Sequence, residues 1–449
     1  MKLSLYYKLI LFHVLLGVAV FAFKPLAMLY FLFIVVFFSY KILRVSKQNK
    51  TFYVLLACAY VVGVEVFLRM NGGTFLYEAI KYLVIVFLLM GLGSNSFSDK
   101  ALLYFLYVLL LIPGVFVAVA DMGFETNIRK AIAFNLSGPV CLGVSAIFCF
   151  KRQVSFTQIK IIMIALLLPI LSMGVYLVLY TPDLGNVITG TGSNFETSGG
   201  FGPNQVSTVL GLGVFVLAVR FFISKSSFIT KAIDLGLLGL LGLRALVTFS
   251  RGGVITAMVM ILSFIAMYYL KVNLKTKFKI KASLLVFIAI VLLTWVVSSG
   301  VSGGLVDKRY ANKDAAGREK ADVTTGRGDL LGFEFRAFAD HPFLGIGVGR
   351  VKEERLKETG VLAASHNEIS RILAEHGLFG VLALLILLIV PLTHRLKNNS
   401  NIFFFSFYFF WLLTINHSAM RIAAPAFIYG LCLLTIRYKP ITKLPILKA

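Results

Sequence analysis

The sequence predicts an all-α polytopic membrane protein with about 12–14 transmembrane helices and a long, partly helical loop on the outer side. Three observations predict it. Of 449 residues, 59% are hydrophobic and only 14% charged, with a mean hydropathy of +0.88, which leaves too little polar surface for a water-soluble fold. The apolar residues fall in runs, about fourteen of them near the roughly 20 residues that cross a bilayer. The basic residues collect between those runs on alternate sides.

The runs are 7–23, 26–43, 52–68, 75–93, 102–120, 132–150, 161–180, 201–223, 232–249, 253–270, 282–299, 377–393, 402–416 and 423–436. Close pairs such as the first two set the lower bound. Residues 1–23 have the basic and apolar regions of a signal peptide, but Phe21-Ala22-Phe23 offers no small-residue cleavage site, so they read as a retained helix. With the N-terminus inside, Arg44/Lys47/Lys50, Lys151/Arg152, Lys225/Lys231, the five lysines from Lys271 to Lys281, Arg395/Lys397 and the basic tail all face the cytoplasm. Segments 181–200 and 300–365 then lie outside, and they hold most of the glycine, acid and turn chemistry. In the longer one, 329–340 reads as an amphipathic helix with Leu330, Leu331, Phe335 and Phe338 apolar, stopping before Pro342 and suited to the membrane surface.

Several features exclude other classes. The net charge of +24 is dispersed between apolar runs and forms no stripe for nucleic acid. Cys58, Cys141, Cys149 and Cys432 sit inside apolar runs and read as packing residues. Gly345-Ile346-Gly347-Val348-Gly349 follows no Rossmann strand and lacks a Walker lysine, so it reads as a turn. The 41 phenylalanines fit lipid-facing packing and call for no cofactor. There is no DxD pair for a nucleotide sugar and no HExxH or other metal-ligand spacing.

The most informative stretch is Ser365-His366-Asn367-Glu368, which opens a helix after the long loop. Ser365 and Glu368 have capping-box spacing, which puts His366 in the first turn at the outer surface. The positive end of a helix favours neutral imidazole, a form able to accept a hydroxyl proton. An interfacial polar residue is the plainer reading. Arg251 lies between two runs on the outer side, where a guanidinium near hydrocarbon must find an anion, a cavity or headgroups. Gly252 and Gly253 beside it allow close backbone approach by a bulky diphosphate. Arg327, at the start of the loop helix, fits either an anion site or a solvated position. Glu375 and His376 face a cavity or rest above the membrane, and Arg336, Asp340 and His341 are compatible with simple solvation. Arg421, Asn416 and His417 in the last short outer loop either line the same cavity or anchor that loop.

His366-Asn367, nine residues, then Gly377-Leu378-Phe379-Gly380 resembles the signature of the O-antigen ligases, which share a domain with the O-antigen polymerases. Gly202-Pro203-Asn204-Gln205, Phe249-Ser250-Arg251-Gly252-Gly253, Gly326-Arg327-Gly328-Asp329 and His341 to Gly347 are similar to the family in the same order. The resemblance covers roughly 202–380. It divides the chain into N-terminal helices and first periplasmic loop (1–200), ligase-like core helices (201–299), large periplasmic loop (300–365) and C-terminal helices (366–449).

The resemblance implies an enzyme of the bacterial inner membrane, with its site facing the periplasm, that moves a glycan from undecaprenyl diphosphate to a hydroxyl. His366 would be general base, and Arg251 and Arg327 would hold the diphosphate. Asn204, Ser250, Gly252, Gly253, Arg336, Asn367 and Arg421 are candidate substrate contacts. No metal and no cofactor are implied, and the anomeric centre would invert. The acceptor is a lipid A core sugar for a ligase, or a second lipid-linked repeat for a polymerase. A flippase for the same lipid is the alternative of another class; it would place ionisable groups near the midplane and show paired repeats.

Overall fold

A computed structural model describes residues 4–92, 101–121, 127–320, 327–360 and 363–438. Its helices are α1 (Leu5–Ala22), α2 (Leu26–Arg44), α3 (Lys47–Met70), α4 (Ala79–Leu92), α5 (Leu102–Leu110), α6 (Ile112–Asp121), α7 (Ile128–Cys149), α8 (Phe156–Tyr180) and α9 (Pro203–Ile223). They continue with α10 (Phe228–Leu246), α11 (Arg251–Lys271), α12 (Leu274–Val301), α13 (Leu305–Tyr310), α14 (Arg327–Asp340), α15 (Val351–Thr359), α16 (Glu368–Lys397), α17 (Phe404–His417) and α18 (Ala424–Cys432). Strand among the described residues is limited to Gln153–Ser155 and Thr435–Arg437.

The protein is an all-α polytopic membrane protein. Among the described residues, ten helices are long and apolar enough to cross a bilayer, with α5 and α6 counted as one span. The four other apolar runs are also helical but miss that standard for visible reasons. Run 75–93 yields the 14-residue α4, 402–416 the 14-residue α17, and 423–436 the 9-residue α18. The fourth, α10, carries Lys231, Asp234 and Arg244.

Burial sorts the spans by solvent. In α3, α8 and α9, 78% of the spanning window is buried, whereas in α12 the figure is 11%, with Leu285, Leu292 and Val296 exposed. Helices apolar on every side and exposed in this way have lipid as their surroundings. All four cysteines are free and buried, as packing residues are.

The chain forms two compact units. The first comprises Met1–Tyr77, Val154–Ala321 and Ile436–Ala449. In it α3 packs on α8, α8 on α1, and α9 lies against both α10 and α11. Asp234 on α10 is buried and engaged: Arg220 of α9 pairs with it at 3.1 Å and the Tyr6 hydroxyl donates to it at 2.5 Å.

The second unit comprises Glu78–Gln153 and Asp322–Thr435. Its central device is a break in α16 at Gly377, whose φ of 57° lies in the left-handed region. The backbone groups that the break frees are taken up by the glycine-rich loop. Ile346 and Gly347 N–H donate to the carbonyls of Ala374 and Glu375 at 2.9 and 3.2 Å, and Leu378 N–H donates to the Pro342 carbonyl at 2.7 Å. Gly345, Gly347 and Gly349 all have positive φ, so the stretch that superficially resembles a dinucleotide loop is a turn that completes a broken helix. A methyl on Gly377 would lie 2.7 Å from the Gly345 nitrogen and the Phe343 carbonyl oxygen. Gly377→Ala should destabilise the purified protein by about 1–3 kcal/mol from backbone strain alone, with the clash in addition. Thermal unfolding in detergent checks this; an unchanged midpoint would contradict the role given to the kink.

Helix α14 spans the predicted 329–340, and it also has a buried face that the sequence reading did not foresee. Phe333 and Glu334 point inward and pack with α16, whereas Phe335 is 50% exposed. The reason is electrostatic. Glu334 is nearly fully buried because Arg355 of α15 pairs with it at 2.8 Å and the Ser370 hydroxyl donates to it.

Candidate functional site

In the first unit, the turn between α10 and α11 carries Ser250, Arg251, Gly252 and Gly253. Phe249 adopts φ 58°, which turns the chain sharply into α11 at Arg251. Both polar segments of this unit fold onto that turn. From the shorter one, Asn194 N–H donates to the Thr248 carbonyl at 3.1 Å and the Thr197 hydroxyl donates to the Val247 carbonyl at 2.6 Å. From the longer one, Arg309 is buried and donates through Nε to the Phe249 carbonyl at 3.0 Å, while Val306 packs against Val247 and Phe249.

Asn204, at the start of α9, accepts the Ser250 hydroxyl at 2.7 Å, so Ser250 does not cap its own helix. The Ser207 hydroxyl donates to the Ser250 carbonyl at 3.0 Å. Gly253 is required by this approach: a methyl there would lie 2.3 Å from Ser207 Oγ and 2.4 Å from its carbonyl carbon. The motif's small and polar residues therefore clamp α9 to α11 and hold Arg251 at the helix start. The Lys320 amine is pushed below its usual range by partial burial, and then by the fields of Arg309 and Arg251. Arg309 and Lys320 thus add two cations to Arg251 that motif reading missed, since neither belongs to a recognisable spacing.

In the second unit, His366 lies two residues before α16, just ahead of its N-cap, and not in the first turn. The capping box does not form. Asn367 is the N-cap, with Oδ1 accepting Ile369 N–H at 2.8 Å and Ser370 N–H at 3.3 Å. The Ser365 hydroxyl donates to the Asn367 carbonyl at 2.8 Å instead. Glu368 is committed to Arg371, whose Nε donates to it at 3.2 Å, and to Met420 N–H at 3.3 Å.

The strand of residues around His366 is zipped to the loop after α17. Ala419 N–H donates to the His366 carbonyl at 3.1 Å, Arg421 Nη2 to the Ser365 carbonyl at 2.7 Å, and Asn367 Nδ2 to Asn416 Oδ1 at 3.0 Å. Below it, Arg371 is buried between Glu368 and Glu375 and donates to the Asn135 carbonyl at 3.0 Å, and Glu375 accepts Gly349 N–H at 2.8 Å. This buried ionic layer ties α7, α16 and the glycine loop into one support.

The imidazole of His366 is half-buried, and its Nδ1 is buried with no hydrogen-bond partner among the described residues. Burial first, then the positive fields of Arg421, Arg327 and Arg355, push its pKa down to about 4. The ring is therefore neutral at neutral pH. A helix end was the expected cause; desolvation and three arginines are the larger ones.

The second unit thus brings together His366, Asn367, Arg421 and, through its field, Arg327 at the first position of α14. Asn416 and Arg355 join them. Arg336 is 62% exposed and pairs with Glu358 at 3.0 Å. Glu375 and His376 are buried, Glu375 within the ionic layer. Asn204, Ser250, Arg251, Gly252 and Gly253 are gathered in the first unit. Glu334, Arg355 and Arg371 were not anticipated, because charged residues read as solvent-facing until a partner far along the chain is known.

Residues 235–385, about a third of the chain, match the family model described as O-antigen ligase. No curated protein matches the chain. The matched stretch takes in Arg251, Arg327, His366 and the Gly377 kink, and leaves Asn204 and Arg421 outside it. Membrane-crossing helices together with a stretch that matches the O-antigen ligase model make this chain a multi-pass membrane protein that carries a region similar to the O-antigen ligases.

Proposed function

We propose that the protein is a glycosyltransferase of the bacterial inner membrane that moves a glycan from undecaprenyl diphosphate to a hydroxyl acceptor at the periplasmic face, and that it acts as an O-antigen ligase on lipid A core. The observation that carries this reading is His366: a neutral imidazole with an unpartnered buried nitrogen, inside the matched domain and surrounded by arginines. A nitrogen so placed has no structural bond to lose when it accepts a proton from a substrate hydroxyl.

In this reading His366 removes the acceptor hydroxyl proton as the oxygen attacks the anomeric carbon. The bond from that carbon to the diphosphate oxygen breaks, the undecaprenyl diphosphate leaves with the electron pair, and the anomeric centre inverts. Arg327 and Arg421 supply positive charge near the base, where developing negative charge on the diphosphate is stabilised. Arg251 receives the same role from its motif and from its own surroundings at the start of α11. The diphosphate is a good leaving group whose charge arginines can carry, so the step needs no metal.

The test is transfer by the purified protein from a synthetic undecaprenyl diphosphate-linked glycan, offered lipid A core or only further donor molecules, with and without a chelator. Glycan appearing on lipid A core at an undiminished rate with chelator is the expected result. Lengthened donor chains with no lipid A product would make the protein a polymerase, and loss of activity with chelator would remove the metal-free mechanism.

A further inference from the structure

The second unit contains a cavity of about 470 Å³ that the assignments above leave unused. Its size falls within the range of small-molecule sites. One wall is the first turns of α7, with Lys130 and Phe134; another is the start of α15, with Lys352; Ser365 closes a third side, and Arg371 and Glu375 form the floor. A second, much smaller hollow shares Phe134, Ser365 and Arg371 with the cavity and reaches Arg421. The hollow is thus bordered by the residue whose guanidinium holds the carbonyl of Ser365, next to His366.

The lining has a definite chemistry. On the floor Arg371 is shared by Glu375 and Glu368, so it offers hydrogen-bonding atoms but no spare positive charge, and the cationic groups of the cavity are those at the rim. Phe134 is half-buried and provides an aromatic surface of the kind on which the apolar face of a sugar ring packs. At the rim, Lys130 and Lys352 are exposed, whereas the charge of the third rim ion, Glu353, is offset by Lys357 at 3.1 Å. The α7 end that carries Lys130 is also an end of a span long enough to cross the bilayer, the level at which a lipid-anchored acceptor presents its sugars.

We infer that this cavity is the acceptor subsite, and that Lys130 and Lys352 select an acceptor saccharide bearing an anionic substituent. The inference rests on the transfer reaction proposed above and adds the chemical class of the acceptor. It is tested with the full-length protein in lipid nanodiscs, an undecaprenyl diphosphate-linked donor, and phosphorylated lipid A core oligosaccharide before and after phosphatase treatment. The unaltered protein should show an acceptor KM about tenfold lower for the phosphorylated form. Lys130→Ala with Lys352→Ala should bring the two acceptors level without moving the donor KM, and Lys130→Arg with Lys352→Arg should restore the preference. A preference that survives the double alanine change, or none in the unaltered protein, overturns the inference. Transfer only to a second donor molecule also overturns it, leaving glycan transfer itself intact. No transfer to any acceptor overturns the functional reading and the subsite with it.

Discussion

His366→Ala is expected to yield a folded, membrane-inserted protein in which glycan transfer is slowed about 10²- to 10⁴-fold, the usual contribution of a general base. The fold should survive because the bonds that zip this stretch to the loop after α17 use backbone atoms of His366 and Ser365 and the side chains of Asn367 and Arg421. The imidazole itself makes no bond through Nδ1. Donor binding should change little. Transfer measured at saturating donor, alongside gel filtration and melting of the variant, checks the outcome; a normal rate from a well-folded His366→Ala protein would exclude the histidine as base.

Arg251→Ala should produce the next largest loss, at least about 10²-fold in transfer, because a guanidinium that carries charge on a leaving diphosphate acts most strongly in the transition state. Arg251→Lys should recover only part of it, since an ammonium keeps the charge and loses the planar fork. The local fold provides a control. The turn is held by Arg309 on the Phe249 carbonyl and by Ser250 on Asn204, so truncating Arg251 leaves those bonds in place. Donor titration of the two variants decides the point: an unchanged donor KM and rate in Arg251→Ala would return this residue to a headgroup anchor.

Fold class was legible because lipid imposes a simple rule: each crossing must be a long apolar helix, and a run of that kind is visible without knowledge of any partner. Where the rule was ambiguous, local charge explains the result. Helix α10 carries three charged residues, and Asp234 is tolerated inside because Arg220 and Tyr6, distant in sequence, meet it. The kink at Gly377 was visible only as a motif glycine; that it breaks α16 depends on a loop some thirty residues earlier donating the missing hydrogen bonds.

The site was partly legible for the same reason. His366, Arg327 and Arg421 stood out because they are polar groups at outer-loop positions, and the structure gathers them. The capping box at Ser365 and Glu368 failed because Glu368 has a stronger partner in Arg371, three residues on and buried with it. The buried face of α14 was not foreseen because Glu334 enters the interior only by pairing with Arg355, on another helix. Arg309 and Lys320 were missed because their approach to Arg251 is created by the folding of a loop, which no local spacing encodes.

The pH dependence of single-turnover transfer identifies the group that takes the acceptor proton. Because the pKa of His366 is depressed to about 4, its neutral, proton-accepting form persists above that value and is lost only as pH falls through it. The rate should therefore be flat from neutral pH down to mildly acidic conditions and then fall through pH 4, with that limb absent from the residual activity of His366→Ala. A limb near the ordinary histidine value, or one that persists unchanged in His366→Ala, would show that the proton is taken by some other group.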